Sequence, residues 1–168
     1  ALGDNGVSTT IDMTNQVIQF DAPFNYFQIG SKGISFNNSI IFTTGTYNSD
    51  TRIYPVYPYT GHVYMDNVTI ISMGDESSGD PSSFTIGYSG TYSYGNYHIN
   101  DSTLLGLKNI GTGGGYYAAN GDLEVTNSMI MHYRSSEKSP AIFYDDMCIQ
   151  SARFDDVVIE GNTMVDCG

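Results

Sequence analysis

Apolar and polar residues alternate in an eight-residue pattern that recurs six times along the chain. The six blocks are residues 11–18 (IDMTNQVI), 34–41 (ISFNNSII), 63–70 (VYMDNVTI), 97–104 (YHINDSTL), 123–130 (LEVTNSMI) and 152–159 (ARFDDVVI). Position three is always apolar, position eight is Ile or Leu, and positions two and four are polar except for Tyr64 in the third block. Such alternation has the period of a half-buried strand.

The fifth position of every block is Asn or Asp. These residues are Asn15, Asn38, Asn67, Asp101, Asn127 and Asp156. Asn and Asp tolerate left-handed backbone angles and bond nearby backbone groups, so each block predicts a strand, a sharp corner and a second strand. The corners are 23 to 34 residues apart, a spacing typical of repeat proteins, in which stacked copies bury the apolar side that one copy cannot.

A short apolar stretch in each connection between blocks predicts a third strand. These stretches are residues 26–29, 52–57, 84–88, 116–119 and 141–144. The sequence therefore predicts an all-β solenoid of about six coils, each with three short strands, over residues 11–168 after an irregular entry segment at 1–10. A β-sandwich of unrelated strands is the alternative, but it does not account for an Asn or Asp at one fixed place in every block.

The block pattern also predicts the core of such a solenoid. Block positions one, three and eight should be buried together, and the position-three residues should form a single column. That column would contain Met13, Phe36, Met65, Ile99, Val125 and Phe154.

The charge of the chain limits its partners. Eighteen Asp and Glu residues face only six Lys and Arg residues, and the net charge is −12. Nucleic acids and anionic membrane surfaces would be repelled, and no apolar run is long enough to span a membrane. The histidines have no ligand spacing, and the acidic segment 74–80 (GDESSGD) is more typical of a solvated loop than of a calcium site. No metal or cofactor is therefore predicted, and His98, at an outward block position, is expected on the surface.

Tyrosines are concentrated in the connections that precede blocks three to six. A tyrosine combines a flat apolar ring with a hydroxyl group, which suits amphipathic ligands such as sugars. If the coils stack, these tyrosines fall near one lateral side, and the candidate sugar-binding residues are Tyr57, Tyr92, Tyr117 and Tyr144. The alternative is that about half of them fill the core or contacts between chains.

Carboxylates near the last predicted connection strand are candidates for catalysis. Glycoside hydrolysis uses two carboxylates about 5–9 Å apart, one of which acts as the acid. Asp145 and Asp146 follow the stretch 141–144, and Glu137 lies in the loop before it. Asp122 or Glu124 in the preceding coil would supply the second group. The alternative is that the two aspartates only form a turn.

Three-strand coils with an Asn or Asp corner resemble the right-handed parallel β-helix of the pectin-lyase-like superfamily, over residues 11–159. The irregular coils, rich in Gly, Ser and Tyr, are most similar to the tailspikes and appendages of bacteriophages. The resemblance implies a right-handed helix, a homotrimer, a bacterial surface polysaccharide as the partner, and a location on the virion surface or outside the cell. Independently of the resemblance, an open stack without caps would expose unpaired strand edges, so a longer polypeptide or assembly is expected to cover its ends.

The motifs of the enzymes in this superfamily are incomplete here. Asp145 and Asp146 match the paired aspartates of polygalacturonases, but the sequence Asn162-Thr163-Met164 lacks the acid of their Asn-Thr-Asp motif. The basic residues that pectate lyases use are scarce. Glycan binding is therefore the expected function, and a polysaccharide depolymerase or a purely structural shaft or adhesin segment are the alternatives.

Overall fold

The computed structural model of the chain describes residues 10–20, 26–29, 33–45, 51–55, 61–74, 84–86, 95–111, 121–131, 149–150 and 156–165. These residues are all-β, contain no helix, and form three sheets whose strand pairings are all parallel. The part of the chain that the structure describes has no helix with the length and hydrophobicity needed to cross a membrane.

The first sheet has six strands, which follow the chain in order. They are β1 (Thr10–Asp12), β4 (Gly33–Ser35), β7 (Gly61–Asp66), β10 (Gly95–Asn100), β13 (Leu123–Thr126) and β16 (Val157–Glu160). The register aligns block position one across the sheet, so that Ile34 pairs with Val63 and Tyr97 pairs with Leu123. Each first strand therefore stacks on the same strand of the next repeat.

The second sheet also has six strands, again in chain order. They are β2 (Val17–Phe20), β5 (Ile40–Gly45), β8 (Thr69–Gly74), β11 (Thr103–Leu105), β14 (Met129–Met131) and β17 (Thr163–Val165). Block position eight is aligned in this sheet, since Ile41 pairs with Ile70 and Leu104 pairs with Ile130. Two parallel sheets joined strand by strand through corners are consistent with a solenoid similar to a β-helix.

The third sheet contains five strands from the connections. They are β3 (Tyr26–Ile29), β6 (Thr51–Pro55), β9 (Phe84–Ile86), β12 (Leu107–Gly111) and β15 (Ile149–Gln150). The predicted strand at 26–29 is confirmed, and the described residues of the stretches at 52–57 and 84–88 also lie in strands. Strands β12 and β15 continue this sheet after β9. The predicted stretches 116–119 and 141–144 lie outside the described residues.

Strand β12 is not predicted from the sequence, and Gly106 turns the chain between β11 and this strand. This glycine has a φ of 74°, in the left-handed region that residues with a Cβ rarely adopt. Its N–H donates to the carbonyl of Met131 at 2.9 Å, so the corner is bonded to the next repeat.

The core lies between the sheets and matches the block pattern. Its fully buried members are Ile34, Phe36, Ile41, Val63, Met65, Val68, Ile70, Ile86, Tyr97, Ile99, Leu104, Ile110, Leu123, Val125 and Ile130. The predicted column at position three is confirmed from the second to the fifth block, and Met13 of the first block packs against it half-buried. Phe154, the predicted sixth member, lies outside the described residues.

Five of the predicted corners adopt the left-handed conformation. The φ angles are 58° for Asn15, 52° for Asn38, 54° for Asn67, 47° for Asp101 and 50° for Asn127. Each of these residues donates its backbone N–H to a carbonyl of the next repeat, and the Nδ2 of Asn67 also donates to the Oδ1 of Asn38 at 3.0 Å. The corner therefore holds each repeat on its neighbour as well as turning the chain.

The predicted sixth block is wrong by five residues. Leu123 pairs with Val157 and Val125 pairs with Ile159, so the last repeat is 157–164 rather than 152–159. Its corner is Gly161, with a φ of 68°, and Asp156 lies just before strand β16. Glycine adopts this angle without the steric cost that a Cβ carries, so this corner needs no Asn or Asp.

Candidate functional site

The outward face of the first sheet carries the most distinctive group of side chains in the described part of the chain. Positions one and three of each block point into the core, so the residues between them point to the opposite face. Tyr64 in β7 pairs in register with His98 in β10, and His62 pairs with Asn96. The sheet therefore places two histidines and a tyrosine from two repeats side by side.

His62, Tyr64 and His98 form what we call the ring cluster. Ring centroids are 5.0 Å apart for Tyr64 and His98, 5.5 Å for His62 and Tyr64, and 5.8 Å for the two histidines. The ring planes are within 8° to 17° of parallel. These distances are within the range of favourable aromatic pairs, so each ring restricts the rotamers of the others.

Hydrogen bonds from the next strands orient both imidazoles. The amide Nδ2 of Asn96 lies 3.2 Å from the Nδ1 of His62, and the Oδ1 of Asn96 accepts the N–H of Asp122 at 2.8 Å. Because an amide nitrogen only donates, the Nδ1 of His62 accepts this bond. The Nδ1 of His98 lies 3.1 Å from the Oε2 of Glu124, and because a carboxylate only accepts, this nitrogen carries a proton.

The cluster is partly open to solvent. Tyr64 is 36% exposed, and the side chains of His98 and Glu124 are 31% and 47% exposed. Two residues after Tyr64, Asp66 accepts a hydrogen bond from the Nδ2 of Asn100 at 2.8 Å. The rings thus lie on an accessible surface between two carboxylates.

This face is acidic. None of its outward residues in the described strands is Lys or Arg, whereas four of them are carboxylates. They are Asp12, Asp66, Glu124 and Glu160. Hydrogen bonds from the side chain and then the backbone of Thr14 lower the pKa of Asp12 below the ordinary value of an aspartate.

A second surface lies on the outward side of the second sheet. The residue after position eight is apolar in five strands, and the strand register aligns these residues into an apolar row. The row consists of Phe42, Ile71, Leu105, Met131 and Val165, all half-buried. An unbroken apolar row on the outside of a parallel sheet is a feature of surfaces that pack against another protein.

The candidate residues chosen from the sequence are in other parts of the chain. Tyr57, Tyr92, Tyr117 and Tyr144, and the carboxylates Glu137, Asp145 and Asp146, lie outside the described residues. Their roles stay predictions. Glu124, considered as the second carboxylate of a catalytic pair, is the residue that bonds His98.

Sequence reasoning missed the ring cluster, although a signal was present. Tyr64 is the one exception to a polar position two, and His98 holds the same position in the next block. Residues at one block position become neighbours when the repeats stack, so the contact of Tyr64 with His98 follows from the alignment of blocks. The spacing of the histidines along the chain, which is the signal of a metal site, does not reveal neighbours between strands.

Within the described ranges, no group of three or more His, Cys, Asp or Glu side chains is arranged to hold a metal ion. No family model, no curated protein and no solved structure matches the chain. The function is therefore argued from the two surfaces described above.

Proposed function

We propose that the chain is a right-handed parallel β-helix of the pectin-lyase-like type, with about six coils of three strands, and that it binds a bacterial surface polysaccharide in the manner of a phage tailspike or appendage. The parallel sheets, the in-register blocks and the left-handed Asn corners support the architecture. The proposed place of action is the virion surface or the outside of a cell.

The observation that carries the proposed binding function is the ring cluster. A sugar has apolar C–H faces and a border of hydroxyl groups, and it binds where aromatic rings lie beside hydrogen-bonding side chains. Tyr64 and His98 supply rings, while Glu124, Asp66 and Asn100 supply polar atoms around them. Ring stacking and hydrogen bonds already order these side chains in the free protein. Binding would therefore lose little side-chain entropy.

The affinity of such a surface for one sugar unit is modest. A polymer that contacts several sites at once binds with a higher overall affinity. The predicted tyrosines at positions 57, 92, 117 and 144 belong to the same proposal as further contacts along the glycan. A homotrimer would multiply the contacts again, and the apolar row offers a surface through which copies can pack.

A polysaccharide depolymerase is the second candidate function. The contact between Glu124 and His98 favours it, because an imidazole oriented by a carboxylate is a common arrangement for proton transfer. Glu137, Asp145 and Asp146 remain the proposed acids if the reaction is a glycoside hydrolysis.

A glycan array followed by a reducing-end assay tests both candidates. We expect the protein to be retained by one or a few bacterial polysaccharides, and Tyr64→Ala combined with His98→Ala to weaken binding about tenfold. Glu160→Gln, on the same face but two strands from His98, is the matched control and should bind like the wild type.

The outcomes separate the functions. New reducing ends on the bound glycan would establish a depolymerase, and binding without them would establish a binding protein. Retention by no glycan at all would contradict both and favour a structural shaft.

A further inference from the structure

We propose that the glycan bound at the ring cluster carries free amino groups, and that one protonated amine pairs with the carboxylate of Glu124 beside His98. This inference rests on the proposed glycan-binding function. It names the chemical class of the ligand, which the fold and the ring cluster alone do not specify.

The first argument is the charge of the face. The described outward residues of the first sheet include carboxylates on both sides of the rings and no Lys or Arg. The whole chain carries a net charge of −12. Glycans with uronic, sialic, sulfate or phosphate groups would therefore be repelled, whereas a cationic glycan would be attracted.

The second argument is the acceptor capacity of Glu124. Its Oε2 bonds the Nδ1 of His98 at 3.1 Å, and the carboxylate is 47% exposed. An ionised carboxylate has about four lone-pair sites, so one bond to an imidazole leaves room for an ammonium donor. The same bond fixes the direction of the carboxylate beside the rings.

The third argument is the tyrosine ring. Tyr64 lies next to His98 at a centroid distance of 5.0 Å and is 36% exposed. Because His98 stacks on Tyr64 and lies between it and Glu124, the exposed part of the tyrosine ring contacts the sugar while the amine pairs with the carboxylate. Asp66 follows two residues later on the same side of the strand and adds a second negative charge.

An amino sugar combines the features that these three groups recognise. Its pyranose ring contacts the aromatic rings, its hydroxyls bond the polar border, and its ammonium group pairs with the carboxylate. Acetylation of the amine removes the charge while keeping the sugar backbone, which gives a direct test.

The test is calorimetric titration of the intact chain with three ligands at pH 6.5 and low salt. The ligands are a glucosamine oligomer, the N-acetylated oligomer of the same length, and spermidine as an amine without a sugar. We expect the glucosamine oligomer to bind about tenfold more tightly than the acetylated one. Its affinity should fall as salt is added, because exposed charge pairs are screened.

Glu124→Gln should weaken binding of the glucosamine oligomer by about 2- to 5-fold, as expected for an exposed charge pair, and leave the acetylated oligomer unchanged. Glu160→Gln removes the same charge from the same face, away from the rings, and should have little effect on either ligand.

Equal or tighter binding of the acetylated oligomer, or an unchanged affinity in Glu124→Gln, would overturn the amine inference and leave glycan binding intact. Spermidine that binds as tightly as the glucosamine oligomer would also overturn it, since the site would then recognise charge alone. If neither oligomer binds while the array finds another glycan, the inference fails and the proposed function stands. If no glycan binds at all, both fail.

Discussion

At the scale of single residues, the corner of the second repeat depends on two side chains. Asn38 occupies the left-handed region with a φ of 52°, and its Oδ1 accepts a bond from the Nδ2 of Asn67 in the next repeat. One residue further, Ser39 is buried, and its hydroxyl accepts the N–H of Gln16 at 3.0 Å. The corner thus satisfies backbone groups that a turn inside a stack would otherwise leave without partners.

Replacing Asn38 separates its conformational role from its bonding role. Both Asn38→Ala and Asn38→Gly remove the side-chain bond, but only alanine carries a Cβ that disfavours a φ of 52°. We expect the alanine variant to be about 1–2 kcal/mol less stable than the glycine variant in urea unfolding followed by circular dichroism. Equal stability of the two variants would show that the corner does not demand left-handed geometry.

The buried serine below the corner gives a second prediction. The Oγ of Ser128 accepts the N–H of Ser102 at 3.1 Å and donates to the carbonyl of Thr126 at 2.8 Å. Ser128→Ala leaves the Ser102 N–H buried without this acceptor and should lower the free energy of unfolding by about 1–3 kcal/mol. Gln16→Ala, an exposed change in the first corner, is the control and should cost less than about 0.5 kcal/mol. A smaller loss in Ser128→Ala than in Gln16→Ala would contradict this role.

At the scale of the repeat, the block pattern predicts most of the strands. Alternation predicts the faces of the two block strands in the first five repeats, because a shift by one residue would expose their core side chains. The same pattern failed in the last repeat, because 152–159 (ARFDDVVI) fits it, whereas the true repeat 157–164 (VVIEGNTM) departs from it with Val158 at position two and Gly161 at the corner. There Asn162 takes over the role of the serine, since its Oδ1 accepts the N–H of Ser128 at 2.8 Å.

The site could be predicted only in part from the sequence. Tyr64 and His98 share one block position, so the alignment of blocks predicts that they are neighbours. His62 and Asn96 each precede a block by one residue, so the same alignment predicts that they are neighbours too. The parallel orientation of the rings and the bond from His98 to Glu124 depend on rotamers that packing selects, which no pattern of residue types specifies.

The core side chains of the last repeat are more exposed than those of the inner repeats. The same Ile→Ala substitution in both places measures how much this burial contributes to stability. Ile99 is fully buried, whereas Ile159, two strands further at the same block position, is 43% exposed. Ile99→Ala should cost about 2–5 kcal/mol because it leaves a cavity, and Ile159→Ala should cost clearly less. Thermal or urea unfolding of both variants checks this prediction. Equal losses would mean that Ile159 is covered in solution.

At the scale of the whole molecule, the two outward faces differ in character. The first sheet presents rings and carboxylates, and the second presents the apolar row. We therefore propose that the face of the first sheet binds the ligand and that the apolar row packs against copies of the chain. The proposed homotrimer uses the second face.

A charge placed in the apolar row tests this assembly. Multi-angle light scattering of the wild type should give about three times the chain mass of 18.3 kDa, and Leu105→Glu should dissociate it because the charge would be buried between copies. Ser35→Glu places the same charge on the outward face of the first sheet and should leave the trimer intact. A wild-type mass of a single chain would contradict the trimer.

The central claim is that the ring cluster binds glycan, and the most direct measurement is the aromatic NMR spectrum of the protein during titration with the polysaccharide fragment that it retains. The ring signals of His62, Tyr64 and His98, assigned by their single substitutions, should shift together and give one Kd that equals the calorimetric value. Saturation of the protein with glycan while all three ring signals stay unshifted would contradict the claim.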